Sequence, residues 1–370
     1  MTLHTTNATT AARNIGFKVA RRALSAHKPL VRAARRAQRA REHLRQYAQE
    51  LQVEREIAGV ARGTAPIAVG PWLGEVGYEA LYWVPFIRWF EDAFRIDPRR
   101  VIALSRGGVS HWYSGLAGEY VDLFDFFTVE EFTERNAERR TEVEAGGQKQ
   151  HGLGTFDREI LSRLQRDRGS SHIEVFHPAL LFRLFKQFWL GDRPIDHLWQ
   201  HTRFECHPAP ARAPLDLPEE YAVAKFYSGT ALPDSEGIRR TLRALVSQAA
   251  ERRPVVVLDA GMAIDEHRDY QFEGLPNVHT LRGAMTPRVN LGIQTEVIAG
   301  ARQFIGTCGS LAWLAPMLGV PTIAVFADDR HLTSHLLVAR QAYRSAGAAR
   351  FAALDLRATA RLRLLEGHVH

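Results

Sequence analysis

Short apolar runs alternate with amphipathic stretches in two separate parts of the chain. An apolar run at residues 65–69 is followed by a helical pattern over 78–92 and by a second apolar run at 100–104. The same alternation restarts at residues 221–227 and continues to residue 326. Apolar runs that alternate with 3.6-residue periodicity are typical of parallel strands joined by helices. The pattern therefore predicts an α/β fold in both halves of the chain.

The clearest unit lies between residues 290 and 326. Its pattern predicts a helix, a strand, a glycine turn, a small-residue helix and a second strand, which is the βαβ unit of a parallel sheet. Backbone N–H groups at such a turn suit a phosphate or another anion. Alternatively, the glycines only shape the turn, as in α/β folds that bind nothing there. The turn consists of Gly306, Thr307, Cys308, Gly309 and Ser310, and Leu311 begins the next helix.

A length of 370 residues is sufficient for two domains, each with its own core. Residues 191–218 are rich in proline and lack periodicity, which favours a domain boundary there. We expect three parts: a basic helical extension at 1–62 and two α/β domains at 63–200 and 201–370. The predicted fold class is two Rossmann-like α/β domains that face each other across a cleft.

The net charge of +7 comes from one segment. Residues 13–45 contain eleven Lys or Arg and one acid, so that segment carries +10 and the remaining chain about −3. Its cations recur at helical spacing, which predicts a basic helix able to lie on an anionic membrane. A solvated helical extension or an oligomerisation arm is the alternative. Nucleic acid is disfavoured because no aromatic platform accompanies the charge.

Cysteine content and hydropathy bear on the compartment. Cys206 and Cys308 are far apart in sequence and do not suggest a disulfide framework, which favours a reducing compartment. The first thirty residues lack an uninterrupted apolar core of the signal-peptide kind. The longest apolar run, residues 311–327, contains Gly319 and two prolines and predicts a helix, turn and strand. We expect a cytoplasmic protein, either soluble or peripheral at the inner face of the membrane.

The loop after the first predicted strand contains two candidate catalytic carboxylates. Glu75 and Glu79 follow that strand, where a carboxylate facing a cleft can take a proton from an acceptor hydroxyl. Glu75 is the first candidate base and Glu79 the second. Spacing alone does not separate a base from a helix cap, so both roles stay open for Glu75. Further substrate-binding candidates are Gly74, Gly77 and Tyr78 in this loop and Arg106 after the next strand.

Lys225 lies inside an otherwise apolar strand, where its charge is costly unless an anion meets it. If that anion is a diphosphate, Tyr227, Ser228 and Thr230 in the following loop supply additional donors. The alternative is an edge-strand lysine whose ammonium group reaches water.

Two further regions are polar. Residues 259–270 form a polar loop in which Asp265 and His267 are candidate substrate contacts, and Asn290 and Gln294 are candidates on the helix before the glycine turn. No metal site is predicted, because the spacing of histidines and carboxylates typical of one is absent. Residues 138–151 are interpreted as a mobile loop.

The second half resembles the donor-binding domain of GT-B glycosyltransferases, especially bacterial ADP-heptose:lipopolysaccharide heptosyltransferases and fucosyltransferase-like enzymes. Residues 308–313 occupy the place of that family's Asp-Thr-Gly-Leu-x-His turn, without the Asp and His, and Gly319-Val320-Pro321 matches its Gly-x-Pro ending. Gly74-Glu75 is similar to the family's Gly-Asp loop, with Glu75 in the place of the catalytic Asp. Lys225 falls near the position of the family's diphosphate-binding lysine. The resemblance covers residues 65–110 and 220–327.

The resemblance implies a glycosyltransferase, hexosyl- or heptosyltransferase-like, that moves a sugar from a nucleotide-sugar donor to a glycan or lipid-linked acceptor in bacterial surface polysaccharide synthesis. It implies inverting transfer with Glu75 as base and without a metal or other cofactor. Two alternatives stay open: a nucleotide-sugar epimerase on the same fold, and a non-catalytic membrane-associated binding protein.

Overall fold

The structure is a computed structural model that describes residues 31, 33, 37, 38, 41, 44–142, 149–169, 172–210, 215–262 and 267–358. The chain forms two compact units, Met1–Glu56 and Ile57–His370. In the first unit, residues 44–56 are helical (α1). Of the cations in the predicted basic segment, only Arg41 and Arg45 lie among the described residues. The basic extension at residues 1–62 therefore stays a prediction.

The second unit contains two separate parallel sheets. The strands of the first are β1 (Ile67–Val69), β2 (Val101–Ser105), β3 (Glu119–Asp122) and β4 (Glu174–Phe176). They lie in the order β3-β2-β1-β4, and Ala68 pairs with both Ile102 and Val175. Every residue of β1 and β2 is buried, as expected for parallel strands covered on both faces.

The second sheet has six parallel strands in the order β12-β11-β10-β5-β7-β9. Lys225, the last residue of β5, pairs with Gly306 of β10. A small antiparallel pair, β6 with β8, continues from the end of β5. The strands after β4 are β5 (Ala222–Lys225), β6 (Tyr227–Ser228), β7 (Val255–Val257), β8 (Arg268–Asp269), β9 (Val278–Thr280), β10 (Gln303–Thr307), β11 (Thr322–Phe326) and β12 (Phe351–Asp355).

Helices connect these strands. Those of the first half are α2 (Val76–Tyr78), α3 (Val84–Phe94), α4 (Val129–Glu142), α5 (Thr155–Asp167), α6 (Pro178–Leu184), α7 (Lys186–Trp189) and α8 (Ile195–Trp199). Those of the second half are α9 (Glu236–Ala250), α10 (Asn290–Ala299), α11 (Leu311–Leu314) and α12 (Thr333–Ala346). A π-helical segment, Glu79–Trp83, joins α2 to α3.

Each sheet has its own apolar core. Aromatic rings dominate next to the first sheet, where Phe176 of β4 stacks on Phe90 of α3 at a centroid distance of 4.1 Å. Aliphatic residues dominate next to the second sheet, where α9 packs Leu242 and Leu245 against the valines of β7. Ser235 begins α9 by accepting a hydrogen bond from the Ile238 N–H, so Ser235 and not Asp234 is its N-cap.

The prediction of two parallel α/β sheets is confirmed. The interpretation of residues 138–151 as a loop is wrong at its start, because α4 continues to Glu142. Residues 143–148 lie outside the described part. The edge-strand alternative for Lys225 is also wrong, since β5 lies between β10 and β7 in the middle of its sheet. The domain boundaries at 62 and 200 stay predictions.

Candidate functional site

The loop after β1 places Glu75 directly before α2. Its backbone is extended (φ −68°, ψ 142°), in the N-cap position of that helix. The Glu75 side chain nevertheless makes no capping hydrogen bond to α2. Helix capping therefore does not account for the carboxylate at this position, and the side chain is partly exposed.

The predicted glycine turn is shorter than expected, because Gly306 and Thr307 are the last two residues of β10 and only Cys308, Gly309 and Ser310 follow the strand. Gly309 has a φ of 142° and Ser310 a φ of 43°, a region that side-chain-bearing residues adopt at a cost. The Cys308 N–H donates to Val325 of β11, and the Ala312 N–H donates to the Gly309 carbonyl. Among the described residues, the N–H groups of Gly309, Ser310 and Leu311 have no such partner. Three consecutive backbone donors are thus available at the carboxyl end of the second sheet.

The two loops meet. A Cβ placed on Gly77 of α2 would lie 2.8 Å from the Ser310 nitrogen and 3.1 Å from the Trp313 ring. Only a residue without a side chain permits this approach between backbones. Glu75, in the loop of the first half, and the N–H donors of the second half consequently share one site.

Two adjoining cavities open at this junction. The inner cavity, of about 120 Å³, is lined by Glu75 and Arg106 from the first half and by Lys225 and Ser310 from the second. The outer cavity, of about 630 Å³, shares Glu75 and Ser310 with it. Both lie at the carboxyl ends of parallel strands, where ligands of open α/β sheets bind.

Most predicted site residues line these cavities. The inner cavity also contains Gly74, Gly77, Tyr227, His267, Asn290, Gln294 and Leu311. The outer cavity contains Gly77, Tyr78, Tyr227, Ser228, Thr230, His267, Thr307, Cys308 and Gly309. Gly306 lines neither cavity; a Cβ there would lie 2.5 Å from the Lys225 carbonyl oxygen, so this glycine permits close strand contact. Asp265 lies outside the described residues.

Lys225 is held in place by two acceptors within the protein. Its Nζ donates to the Leu258 carbonyl at 2.7 Å and to Asp269 Oδ2 at 2.8 Å. The strand lysine thus meets a carboxylate from β8, which the sequence prediction did not include. An ammonium group has three donors, so one remains for a ligand in the inner cavity.

Glu79 lies behind the cavity wall. It is fully buried, and its Oε1 accepts hydrogen bonds from Ser105 Oγ at 2.5 Å and from the Tyr113 hydroxyl at 2.6 Å. Its Oε2 is buried with no hydrogen-bond partner among the described residues. Burial raises the pKa of this carboxyl group to about 7, against the lowering by the two hydroxyl donors. Glu79 therefore braces the π-helical segment against β2, whereas Glu75 faces the cavities.

The inner cavity is rich in cations from the first half. Arg106 is buried and donates to the carbonyl groups of Trp72 (3.3 Å) and Gly74 (3.0 Å), which fixes the loop that carries Glu75. Arg139 and Arg140 of α4 also line this cavity. The loop interpretation of residues 138–151 hid both arginines, and their spacing from Asn136, i+3 for Arg139 and i+4 for Arg140, was the signal that could have revealed them.

An aromatic and histidine cluster borders the outer cavity. The hydroxyl groups of Tyr78 and Tyr82 lie 3.1 Å and 2.5 Å from the two ring nitrogens of His335 on α12. Burial, with Lys149 and His331 nearby, lowers the pKa of His335 to about 4, so its ring is neutral near pH 7. One tyrosine consequently donates to the ring while the other accepts from it. Neither His335 nor Lys149 carried a signal in the sequence, since 257 residues separate Tyr78 from His335.

Cys308, in the turn after β10, is not a reactive cysteine. Burial raises the pKa of the Cys308 thiol to about 12, so it stays protonated and is not a nucleophile.

Among the described residues, no group of three His, Cys, Asp or Glu side chains is arranged to hold a metal ion. In the same part of the chain, no helix has the length and hydropathy required to cross a bilayer.

Solved structures with similar folds include the heptosyltransferase WaaC from E. coli, determined with ADP. It is 16% identical, with a TM-score of 0.40 over 72% of this chain and 89% of that chain. The E. coli ADP-heptose LPS heptosyltransferase II is 11% identical, with a TM-score of 0.40 over 78% and 89%. The UDP-GlcNAc 2-epimerase from Methanocaldococcus jannaschii is 11% identical, with a TM-score of 0.29 over 76% and 90%. No family model and no curated protein matches the chain.

Proposed function

We propose that this protein is a glycosyltransferase that moves a sugar from a nucleotide-sugar donor to a hydroxyl group of a glycan or lipid-linked acceptor in bacterial surface polysaccharide synthesis. One observation carries the proposal. The two cavities are lined by Glu75, whose carboxylate does not cap the following helix. They are also lined by the Lys225 ammonium group and the Ser310 N–H, which lie at the carboxyl ends of strands in the second sheet. An acid–base group and an anion-binding group are thereby available to one bound substrate.

The donor diphosphate fits the second-half side of the site. The N–H groups of Gly309, Ser310 and Leu311 lie in the turn after β10, and Lys225 has one ammonium donor left for a ligand. Such fixed donors stabilise the charge that develops on a leaving diphosphate. The short α11, Leu311–Leu314, continues as a 3-10 turn, so these individual donors and not a long helix dipole supply the stabilisation.

The acceptor hydroxyl is placed on the first-half side, next to Glu75. In the proposed step Glu75 takes the hydroxyl proton while the acceptor oxygen bonds to the anomeric carbon. The bond between that carbon and the diphosphate oxygen breaks, and the nucleoside diphosphate leaves with the electron pair. A single displacement of this kind inverts the anomeric centre. After the step, Glu75 is protonated and the nucleoside diphosphate is still bound.

A two-stage experiment tests the proposal. Nucleoside diphosphates and nucleotide-sugars are first screened by thermal shift, since a ligand at about 100 times its Kd stabilises a protein by about 2.7 kcal/mol. Stabilising nucleotide-sugars are then incubated with and without saccharide and lipid-linked acceptors, and nucleoside diphosphate release is measured. Acceptor-dependent release is expected. Release that needs no acceptor supports the epimerase alternative, and a screen without any stabilising nucleotide contradicts the proposal.

Glu75 is tested in the same assay. Glu75→Gln keeps the size of the side chain but cannot take a proton, so turnover should fall by roughly 10²–10⁴-fold with donor affinity unchanged. The matched control is Glu251→Gln, at the exposed end of α9, which should keep full turnover. A Glu75→Gln enzyme that retains more than about a tenth of the rate would remove Glu75 from the role of base.

The basic segment at residues 13–45 is proposed to bind anionic membranes and thereby to bring the enzyme to a lipid-linked acceptor. Its charge of +10 supports this, at about 1 kcal/mol for each cation near an anionic surface. Deletion of residues 1–43 should abolish sedimentation with phosphatidylserine-containing liposomes and leave transfer to a soluble acceptor intact. Equal sedimentation of both proteins would contradict the membrane role and favour the protein-partner alternative.

A further inference from the structure

Arg139 is a buried cation that the proposed transfer step does not use. It lies in the last turn of α4, it is 3% exposed, and it forms part of the wall of the inner cavity. Arginine is almost never buried to this degree without a partner for its charge. Its surroundings therefore indicate whether the charge is satisfied within the protein.

The hydrogen bonds of Arg139 leave part of its guanidinium group unused. Its Nε donates to Asn136 Oδ1 at 2.8 Å, one turn earlier on α4. Its Nη1 is buried and has no hydrogen-bond partner among the described residues. A buried donor without a partner costs stability, so such a group suggests a missing ligand.

The buried carboxylate of Asp157, the acid that attracts Arg139 most strongly, already accepts hydrogen bonds from three other residues. Asp157 of α5 accepts from Gln150 Nε2 and His177 Nε2 through Oδ1 and from the Gly154 N–H through Oδ2. It attracts Arg139 electrostatically, as does Glu142, but neither forms a salt bridge with it. Burial, which outweighs these two acids, lowers the pKa of the Arg139 guanidinium to about 10.

Arg106 adds a second buried cation to the same wall. Its two hydrogen bonds go to backbone carbonyl groups and not to an acid, and the buried carboxyl group of Glu79 interacts with it only through its charge. Arg106 and Arg139 are close enough to repel each other. Two buried guanidinium groups that repel each other favour an anion placed between them.

Gln294 contributes a hydrogen-bond acceptor next to these cations. Its Nε2 donates to Asn290, while its Oε1 is buried without a partner among the described residues. It lines the same inner cavity as Arg106 and Arg139. Cations combined with an acceptor of this kind suit a group that carries both negative charge and hydroxyls, as an acidic sugar does.

We propose that Arg139 and Arg106 form a second anion subsite in the inner cavity, and that it binds a carboxylate or phosphate group carried by a substrate sugar. This subsite is separate from the donors proposed for the diphosphate, Lys225 and the turn at Gly309–Ser310. That its ligand is a sugar substrate rests on the proposed glycosyltransferase function. The anion binding itself does not.

Anion binding is tested first, without nucleotide or transfer. Glucuronate, inorganic phosphate and, as the uncharged comparison, glucose are titrated by thermal shift against the wild type, Arg139→Met and Arg135→Met. Arg135 lies one turn earlier on α4, half exposed and paired with Glu138, so its loss controls for charge and helix propensity. Circular dichroism establishes that each variant is folded. Arg139→Lys, which keeps the charge without the planar fork, is a second variant in case the methionine variant does not fold.

The expected result is that glucuronate or phosphate stabilises the wild type and Arg135→Met equally, and that glucose does not stabilise them. Arg139→Met should need at least about tenfold more of the anion for the same shift, and Arg139→Lys should fall between. An unresponsive wild type would overturn the subsite, as would an equal response in Arg139→Met.

The source of the anion is resolved with nucleotides. UDP, GDP and ADP should bind the wild type and Arg139→Met alike; a similar loss for these sugar-free nucleotides would place Arg139 in the diphosphate site and overturn the proposal. If Arg139→Met weakens UDP-glucuronate but not UDP-glucose, the anion belongs to the donor sugar. If glucuronate still binds at saturating UDP-glucose, whose sugar fills the donor position, the anion belongs to the acceptor. A protein that lacks transferase activity but shows the anion response separates failure of the proposed function from failure of this subsite.

Discussion

Gly77 and Ser310 lie so close that a Cβ on Gly77 would be 2.8 Å from the Ser310 nitrogen. Gly77 belongs to the helix that follows Glu75, and Ser310 to the turn that offers backbone donors. This contact is what brings the two halves of the proposed site to a single cavity. Since its partner atoms are backbone atoms, they have little freedom to move aside.

Gly77→Ala should therefore destabilise the protein by about 1–3 kcal/mol, as overpacking does, and weaken nucleoside diphosphate binding. The matched control is Gly237→Ala in α9, where a Cβ meets nothing within 4 Å. That control should leave stability unchanged or raise it by about 0.4–1 kcal/mol. Urea denaturation and calorimetry measure both effects. Equal stability of the two variants would show that the junction is loose.

Lys225 and Asp269 are expected to compete with a diphosphate for the same charge. Asp269→Asn should strengthen nucleoside diphosphate binding by roughly tenfold, about 1.4 kcal/mol, because it removes a carboxylate from the ammonium group. It should also cost up to about 3 kcal/mol of stability, since the pair is mostly buried.

Lys225→Met should weaken the same binding and also destabilise the protein, because Asp269 then loses its cation. The double variant should recover stability without recovering affinity. Calorimetry combined with denaturation completes the cycle. If none of the three variants changes affinity, the pair is purely structural.

Glu79 should make the protein less stable as the pH rises. Its pKa is raised from an ordinary 4.5 to about 7, so the unfolded chain loses this proton before the folded protein does. The folded state then binds more protons than the unfolded state, and stability falls between pH 4.5 and 7 by about 3 kcal/mol.

Glu79→Gln removes this term while Ser105 and Tyr113 keep an oxygen acceptor. The stability of the variant relative to the wild type should increase between pH 4.5 and 7 and stay constant above pH 7. Glu91→Gln is the comparison: burial raises the pKa of Glu91 to about 9, so its advantage should keep growing up to that pH. Urea denaturation at several pH values measures both curves, and a Glu79→Gln curve parallel to the wild type would contradict the assignment.

His335 should act in the opposite direction. Its pKa is lowered from 6.5 to about 4, so between these values the unfolded chain is protonated and the folded protein is not. Wild-type stability therefore falls as the pH drops from 6.5, by about 2 kcal/mol at pH 5.

His335→Phe loses both tyrosine hydrogen bonds and should cost about 1–3 kcal/mol at pH 7. At pH 5 the cost should shrink by the amount of the lost titration. His172→Phe, at a mostly exposed histidine, is the comparison and should cost less stability at pH 7 than His335→Phe. A cost for His335→Phe that is identical at both pH values would show that folding does not lower the pKa of His335.

The local pattern of apolar residues in the sequence was sufficient to predict much of the architecture. The apolar runs of β1, β2, β5, β10 and β11 have the composition of strands buried on both faces, and glycine turns follow where such strands end. Because the carboxyl ends of parallel strands share one edge of a sheet, Lys225 and Ser310 could be predicted to lie near each other, whereas the approach of Glu75 from the other sheet rested on the expectation of two domains facing a cleft. The close backbone approaches at Gly77 and Gly306 were not predicted from the sequence, which indicated ligand-binding roles for both glycines.

Tertiary structure alone decided which charges are paired. Lys225 pairs with Asp269, 44 residues away in sequence, and His335 with Tyr78, 257 residues away. At such separations, spacing along the sequence does not indicate which residues are in contact. The structure was also needed to distinguish the roles of Glu75 and Glu79, because the two glutamates differ only in how deeply they are buried. Arg139 was missed because α4 is polar along most of its length, and helical periodicity is lost where apolar residues are few. Periodicity reports which face of an element is covered, whereas pairing and pKa depend on atoms that the fold brings from elsewhere in the chain.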